Sequence, residues 1–178
     1  MTHTPICLIV TGPPASGKST LAQQLATHLD WPLIGRDAIR EQVYATTGRV
    51  IQHTDVNHRF VTAIQQTLAH GQSLVCEAAF QHALWMTLLA QLTAPHQIKL
   101  ITCHVPADIR ITRITQRMVE DTLRTDVHAD QVLLHAYTQG TTNPDAFEYL
   151  DCPWPHLAVD CQHGYQPPVD DMVAWVRR

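Results

Sequence analysis

An eight-residue segment near the start of the chain has the spacing of a phosphate-binding loop. Residues 12–19 read GPPASGKS and fit G-x-x-x-x-G-K-[ST], the P-loop pattern. Its glycines allow positive φ and close backbone approach, so successive N–H groups can surround a phosphate. Lys18 then spans the β- and γ-phosphates, and the Ser19 hydroxyl is placed to ligate Mg²⁺. The residues predicted to bind the nucleotide here are Pro14, Ala15, Ser16, Gly17, Lys18, Ser19 and Thr20.

The elements on either side of this loop have the pattern that such a loop requires. Pro5 to Thr11 is a nearly continuous apolar run, which is typical of a strand buried on both faces. Leu21, Leu25 and Leu29 then recur at four-residue spacing and predict an amphipathic helix. The helix presents its positive N-terminal end to the same anion. The segment is therefore predicted to be strand, loop and helix in that order.

Strands and helices alternate along the rest of the chain. Further strands are predicted at residues 31–35, 73–80, 98–105 and 156–160, with helices at residues 37–45, 60–68, 84–92, 107–137 and 169–176. Alternation of this kind implies parallel pairing through right-handed crossovers. We therefore expect a three-layer α/β/α fold with a five-stranded parallel sheet. The 178 residues suit a single domain spanning residues 1–178.

The helical segment between the fourth and fifth strands, at about residues 106–138, is polar and rich in arginine. Because it is too hydrophilic to cover a sheet, we expect it to form a lid. Arg113 and Arg117 lie one helical turn apart and can face the same way. Arg110 and Arg124 are possible further lid contacts. A solvated helix face, with Glu120 and Asp121 as acidic partners, remains the alternative.

Composition narrows the classes of protein to which the chain can belong. A net charge of −4 argues against a general nucleic-acid coat or a basic membrane binder. The five cysteines have no C-x-x-C spacing, which argues against a disulfide framework or structural zinc. No apolar run approaches the roughly 20 residues that cross a bilayer, and no signal sequence is apparent. A cytoplasmic protein is expected, and its oligomeric state is left open.

Several motifs occur together in the order expected for one group of kinases. The segments GPPASGKSTLAQQLA, Asp37-x-x-Arg40 and Arg113-x-x-x-Arg117 resemble the P-loop kinases often labelled AAA-domain ATP-binding proteins. That group is similar to chloramphenicol phosphotransferase, zeta toxin, gluconate kinase and the kinase domain of polynucleotide kinase. The stretches LVCEAAF, RTDVHAD and LAVDCQHGY also look like those of bacterial members. The resemblance therefore covers nearly the whole chain.

This resemblance implies transfer of the γ-phosphoryl group of Mg-ATP to a hydroxyl of a small-molecule acceptor. Asp37 would accept the proton of the attacking hydroxyl, which must lie in line with the γ-phosphate. Arg40 would face the substrate one helical turn later. Of the lid pair, Arg113 would lie near adenine and Arg117 on the phosphates, because guanidinium both stacks on rings and binds phosphate oxygens. The alternatives are a helix N-cap for Asp37 and an acid-paired surface position for Arg40.

Other positions carry two interpretations each. Glu77 ends an apolar strand, where it could lie near Mg²⁺ or an attacking group, or simply be exposed. Asp160 could face the adenine or serve as a turn residue. The polar segment from Tyr44 to about Phe60 follows the Asp37 helix and is expected to line the acceptor side.

Two other functions stay open beside the small-molecule kinase. One is a nucleotide-binding ATPase switch, which would lack an acceptor pocket beside Asp37. The other is a kinase for the 5′-hydroxyl of a polynucleotide, which needs a basic channel lined by aromatic residues. The acidic balance and the low aromatic content, 6% of residues, argue against that channel.

Overall fold

The computed structural model describes residues 4–120 and 130–178 of the chain. The strands are β1 (Ile6–Thr11), β2 (Leu33–Gly35), β3 (Leu74–Ala78), β4 (Gln97–His104) and β5 (His156–Asp160). The helices are α1 (Lys18–Leu29), α2 (Arg36–Thr47), α3 (His53–Ala69), α4 (His82–Leu89), α5 (Ala107–Glu120), α6 (Asp130–Thr138) and α7 (Val169–Val176). The proposed lid contact Arg124 and the alternative partner Asp121 lie outside the described residues.

The five strands form one parallel sheet in the order β2-β3-β1-β4-β5. The central strand β1 is buried along its whole length because both faces of the sheet are covered. Phe60 and Trp85 pack on one face from α3 and α4, while Leu21 and Met172 pack on the other from α1 and α7. The predicted three-layer α/β/α fold is confirmed.

The parallel strands all end at one edge of the sheet, and the chain turns there into the segments that carry the polar motifs. Residues 12–17 follow β1, Asp37 follows β2, and Glu77 lies near the end of β3. Residues 161–165 follow β5 at the same edge. In open α/β sheets, ligands bind outside the carboxyl ends of the strands, so the fold gathers the predicted site residues where a ligand is expected.

The cysteines occupy interior positions as free thiols. Cys7, Cys76, Cys103 and Cys161 are buried, and Cys152 is partly buried. A buried thiol packs as a small hydrophobic group, which agrees with the apolar sequence around these positions. Within the described ranges, no helix is long and apolar enough to cross a bilayer.

Candidate functional site

The loop between β1 and α1 requires glycine at its first position. Gly12 has φ of 154°, and a Cβ there would lie 2.7 Å from the Cys103 carbonyl oxygen and 2.9 Å from Ser16 Oγ. Gly17 has φ of 87° and directly precedes α1. The first N–H groups of a helix have no acceptor within it, and no side chain caps α1. These donors, together with the helix N-terminus, suit an anionic ligand.

A buried ion pair lies beneath this loop. Lys18 Nζ is 3.6 Å from Glu77 Oε1, and their side chains are 8% and 6% exposed. Burial raises the pKa of Glu77, while the Lys18 ammonium and a hydrogen bond from the Ser19 hydroxyl act in the opposite direction. Glu77 therefore contacts both P-loop residues instead of lying exposed at the strand end.

The oxygen donors of this cluster fit a magnesium ion. Ser19 supplies a hydroxyl and Glu77 a carboxylate, and both kinds of oxygen are preferred Mg²⁺ ligands. In the part of the chain that the structure describes, no group of three or more His, Cys, Asp and Glu side chains could hold a metal. Mg²⁺ is commonly bound by one or two protein oxygens together with substrate phosphates, which agrees with this sparse donor set.

Asp37 lies in the first turn of α2, beside the partly buried cation of Arg36. Arg36 donates a hydrogen bond to Asp37 Oδ1 at 3.3 Å and another to Asn57 Oδ1 at 3.0 Å. Its guanidinium also lies 2.7 Å from His53 Nδ1. Burial lowers the pKa of Arg36, and the Asp37 charge opposes that shift. Because Gly35 occupies the N-cap position of α2, the alternative assignment of Asp37 as the cap is wrong.

Asp37, the P-loop and the lid meet around one cavity of about 420 Å³. Its polar lining includes Lys18, Ser19, Thr20, Asp37, Arg117 and Asp130. Arg40 is not part of this lining; the pKa of the neighbouring His53 is lowered by burial first, then by the charges of Arg36 and Arg40. Arg40 Nε is buried and has no hydrogen-bond partner in the described chain. The structure therefore brings together the P-loop, Asp37 and Arg117, and leaves Arg40 outside the cavity wall.

Arg117 connects the two helices of the expected lid. Its guanidinium lies 2.7 Å from the carboxylate of Asp130, which joins α5 to α6. Arg117 Nε is buried without a hydrogen-bond partner among the described residues. The alternative pairing with Glu120 is wrong, because Glu120 instead accepts a hydrogen bond from Gln116. Arg117 thus carries an unused donor next to the P-loop.

Arg113 holds the P-loop against the segment that follows β5. Its guanidinium donates to the carbonyl oxygen of Ala15 at 3.4 Å and to those of Cys161 and Gln162 at 2.9 and 3.0 Å. It faces a second cavity, of about 470 Å³, that shares Thr20 and Arg117 with the first and so lies next to it. Arg113 therefore lines a cavity beside the P-loop, and its place near adenine stays a prediction.

Tyr165 is a site residue that no sequence motif singled out. Its hydroxyl lies 3.3 Å from the Gly17 carbonyl oxygen and forms a hydrogen bond with Thr20. Burial raises the pKa of Tyr165 to about 12, so the phenol stays protonated at neutral pH. Tyr165 lines the second cavity, and the only signal for it was its place after the fifth strand, in LAVDCQHGY.

Two other expectations are corrected, and one of the two interpretations of Asp160 is supported. Arg110 is 2% exposed and donates to the carbonyl oxygens of Val105 and Pro144, so it fixes a loop instead of contacting a ligand. Asp160 accepts a hydrogen bond from the Gln162 N–H at 2.8 Å, which supports its assignment as a turn residue. No residue from 44–60 lines either cavity, and Asn57 and His53 of that segment contact Arg36.

Comparisons with known proteins agree with this architecture. The profile of a family described as "AAA domain" matches residues 8–138. A "putative kinase" from Chloroflexus aurantiacus J-10-fl has a TM-score of 0.84 and 27% identity, with 98% of each chain covered. No curated protein matches the chain in sequence.

More distant structures share the fold. A gluconokinase from Sinorhizobium meliloti 1021 has a TM-score of 0.52 at 18% identity and covers 97% of this chain and 89% of its own. A chain of the Pnkp1/Rnl/Hen1 RNA repair complex has a TM-score of 0.59 at 17% identity, over 86% of this chain and 51% of that one. Identities this low show a common fold alone.

Proposed function

The chain belongs to the family described as an AAA domain, and we propose that it is an ATP-dependent phosphotransferase acting on a hydroxyl of a small molecule. Its fold is the P-loop fold that kinases share, and the similar structures include proteins described as kinases. The observation that carries the proposal is the common cavity of Lys18, Asp37 and Arg117. A phosphate-binding loop, a carboxylate and a cation at one cavity are the parts that phosphoryl transfer needs.

The P-loop provides the binding site for the triphosphate. Backbone N–H groups at the start of α1 bind phosphate oxygens, and Lys18 lies where a β,γ-bridging contact is made. The Lys18 ammonium is compensated by Glu77. A bound phosphate gives this buried cation a second anionic partner beside Glu77.

The neighbouring cavity of about 470 Å³ is suited to the nucleoside part of ATP. Arg113 and Tyr165 line it from the lid and from the segment after β5. A guanidinium and a phenol ring both offer flat surfaces for stacking on a base. Thr20 belongs to both cavities, so a molecule that extends from one to the other passes the P-loop.

Asp37 is the proposed general base. The hydrogen bond from Arg36 fixes the carboxylate on one side, so Asp37 is held beside the P-loop cavity. The acceptor hydroxyl donates its proton to Asp37 as its oxygen attacks the γ-phosphorus. Arg36 acts through Asp37 and is a positioning residue in this scheme.

Ser19 and Glu77 are the proposed holders of Mg²⁺. Magnesium bound there would neutralise charge on the β- and γ-phosphate oxygens. Ser19 is exposed at the cavity, whereas Glu77 is buried at the end of β3. The hydroxyl would therefore contact the ion from the cavity and the carboxylate from the sheet.

The lid, about residues 106–138, is proposed to supply the remaining positive charge. Arg117 is bound to Asp130 in this structure and still has an unpaired Nε. A guanidinium at the transferring phosphoryl group stabilises the charge that is redistributed in the transition state. Arg40 lies outside the wall of this cavity, so its contact with the substrate stays a prediction from the sequence.

An acceptor screen tests the proposal. ADP release is followed with Mg-ATP and a panel of hydroxyl compounds that includes a 5′-hydroxyl oligonucleotide, with Lys18→Ala as the matched inactive variant. We expect ADP release that depends on a small alcohol and disappears in Lys18→Ala. Slow hydrolysis that no alcohol accelerates would instead identify a nucleotide-binding switch, and response to the oligonucleotide alone would identify a polynucleotide kinase.

A further inference from the structure

A third cavity, of about 230 Å³, lies next to the one that contains Asp37. The two share Pro14, Ala79 and Leu133, so they meet beside the P-loop. The far side of the third cavity is formed by Tyr137 of α6 and Phe147 of the segment between α6 and β5. We call this space the ring pocket, defined by Pro13, Leu133, Tyr137, Pro144, Ala146 and Phe147.

The lining of the ring pocket differs in charge from that of the two nucleotide cavities. Among the described residues, none with an ionised side chain lines it. Its polar groups are the side chains of Gln81, Thr142 and Asn143 and the hydroxyl of Tyr137. The side-chain carbonyl oxygens of Gln81 and Asn143 already accept backbone N–H groups, at 2.6 and 2.9 Å. Their NH₂ groups therefore remain as neutral donors toward a ligand.

The wall that carries Phe147 is anchored to the body of the domain. Arg110, buried under this segment, donates to the Pro144 carbonyl oxygen at 2.6 Å. The Tyr149 hydroxyl donates to the carbonyl oxygen of Cys103 on β4, and the ring of Phe147 packs edge-on against Tyr149. Gln81 accepts the N–H of Glu148 from the other side. These contacts preform the pocket before any ligand binds.

We propose that the ring pocket holds the unreactive part of the acceptor, and that the acceptor is a neutral alcohol carrying a planar ring. This inference rests on the proposed kinase function and adds the substrate class. A carboxylate or phosphate on the acceptor would find no cation to pair with in the described lining. A ring gains apolar burial and contacts with the aromatic side chains of Tyr137 and Phe147.

The position of the pocket also orients the reacting end. A ring held between α6 and the following segment directs its hydroxyl past Ala79, where the cavity of Asp37 and Lys18 begins. The acceptor oxygen forms a bond to the γ-phosphorus while the bond from that phosphorus to the β,γ-bridging oxygen breaks. The hydroxyl proton passes to Asp37, and ADP leaves with the bridging oxygen. The products are a phosphate monoester and ADP.

The test compares probes of different chemistry in the same Mg-ATP assay. Two ring-bearing neutral alcohols, 2-phenylethanol and thymidine, are set against sorbitol, gluconate and a 5′-hydroxyl oligonucleotide. We expect transfer to a ring-bearing alcohol and none to the others. Saturation-transfer NMR of the ring protons, with the protein in ADP, measures binding independently of turnover.

Variants locate the binding to the pocket. Tyr137→Ala and Phe147→Ala are each expected to raise KM for the ring-bearing alcohol about 10-fold and to leave KM for ATP unchanged. Tyr137→Phe keeps the ring and should retain the wild-type value. Val132→Ala, at a position of α6 that is 69% exposed and outside the pocket, is the control. Thermal melting of each variant checks that it is folded.

The outcomes separate this inference from the proposed function. Transfer to sorbitol, gluconate or the oligonucleotide, with the ring-bearing alcohols inert, overturns the inference and leaves phosphoryl transfer standing. ATP binding without transfer to any probe, and without ring-proton signals, overturns both. Turnover of a ring-bearing alcohol with KM unaltered in both alanine variants shows that the ring binds elsewhere and also overturns the inference.

Discussion

The ammonium of Lys18 lies 3.6 Å from the carboxylate of Glu77, and both side chains are almost fully buried. This pair links the phosphate-binding loop to the end of β3 on the neighbouring strand. Removing one member of a buried ion pair leaves the other without compensation, so each is expected to depend on the other for its charge state. Lys18, which is proposed to bind phosphate, therefore also attaches the loop to β3 through Glu77.

Lys18→Ala is expected to lower the rate of phosphoryl transfer by about 10²-fold or more, because a cation that stabilises transition-state charge is lost. The measurement is ADP release at saturating acceptor. Lys99→Met is the control, since Lys99 is the only other lysine and its ammonium bonds to carbonyl oxygens at the end of α7. Wild-type turnover by Lys18→Ala would contradict the P-loop assignment.

Glu77→Gln should make stability depend less on pH. Burial raises the pKa of Glu77 above its usual 4.5, so its contribution to stability is present at low pH and declines as pH rises through the folded-state pKa. The free energy of unfolding of the wild type, relative to Glu77→Gln, should therefore fall from acidic toward neutral pH. Urea titrations of both proteins across that range measure it.

Glu148→Gln, which alters an exposed glutamate, is the matched control for this pH series. Its curve should run parallel to that of the wild type. If the Glu77→Gln curve is parallel as well, then the carboxylate of Glu77 titrates as it does in the unfolded chain, which would contradict the raised pKa that burial predicts.

Asp37→Asn should retain ATP binding and lose transfer to the acceptor. The amide keeps the shape of the side chain but cannot take the hydroxyl proton, and loss of a general base costs roughly 10²- to 10⁴-fold. Calorimetric titration with ATP and steady-state turnover measure the two properties. Asp55→Asn, an exposed carboxylate in the first turn of α3, should behave like the wild type. Normal transfer by Asp37→Asn would remove Asp37 from the mechanism.

Arg36→Ala should lower kcat and leave KM for ATP unchanged, because Arg36 holds Asp37 and does not line the nucleotide cavities. Arg36→Lys keeps the charge but not the planar set of donors, so it should restore only part of the rate. Arg49→Ala, in the exposed segment after α2, is the control. An equal fall in melting temperature and in activity for both Arg36 variants would indicate a purely structural role.

The sequence predicted those parts of the site that are encoded locally. The P-loop and Asp37 each follow a strand with a recognisable apolar pattern, so their place at the edge of the sheet could be deduced. The burial of Arg110 could not, because it depends on the carbonyl oxygen of Pro144, which comes from a later loop. Tyr165 was missed for the same reason, since its contact with Gly17 exists only after folding brings the segment that follows β5 beside the P-loop.

The lid arginines should separate in their kinetic effects. Arg117→Ala is expected to lower kcat by roughly 10³-fold, because a guanidinium at the phosphates stabilises the negative charge that shifts between phosphate oxygens in the transition state. Arg113→Ala should mainly raise KM for ATP, since it removes hydrogen bonds that hold the nucleotide cavity and a surface that contacts ground and transition states alike. Gln116→Ala, on the exposed face of the same helix, is the control. Unchanged kcat and KM in both arginine variants would mean that the ion pair of Arg117 with Asp130 only joins two helices.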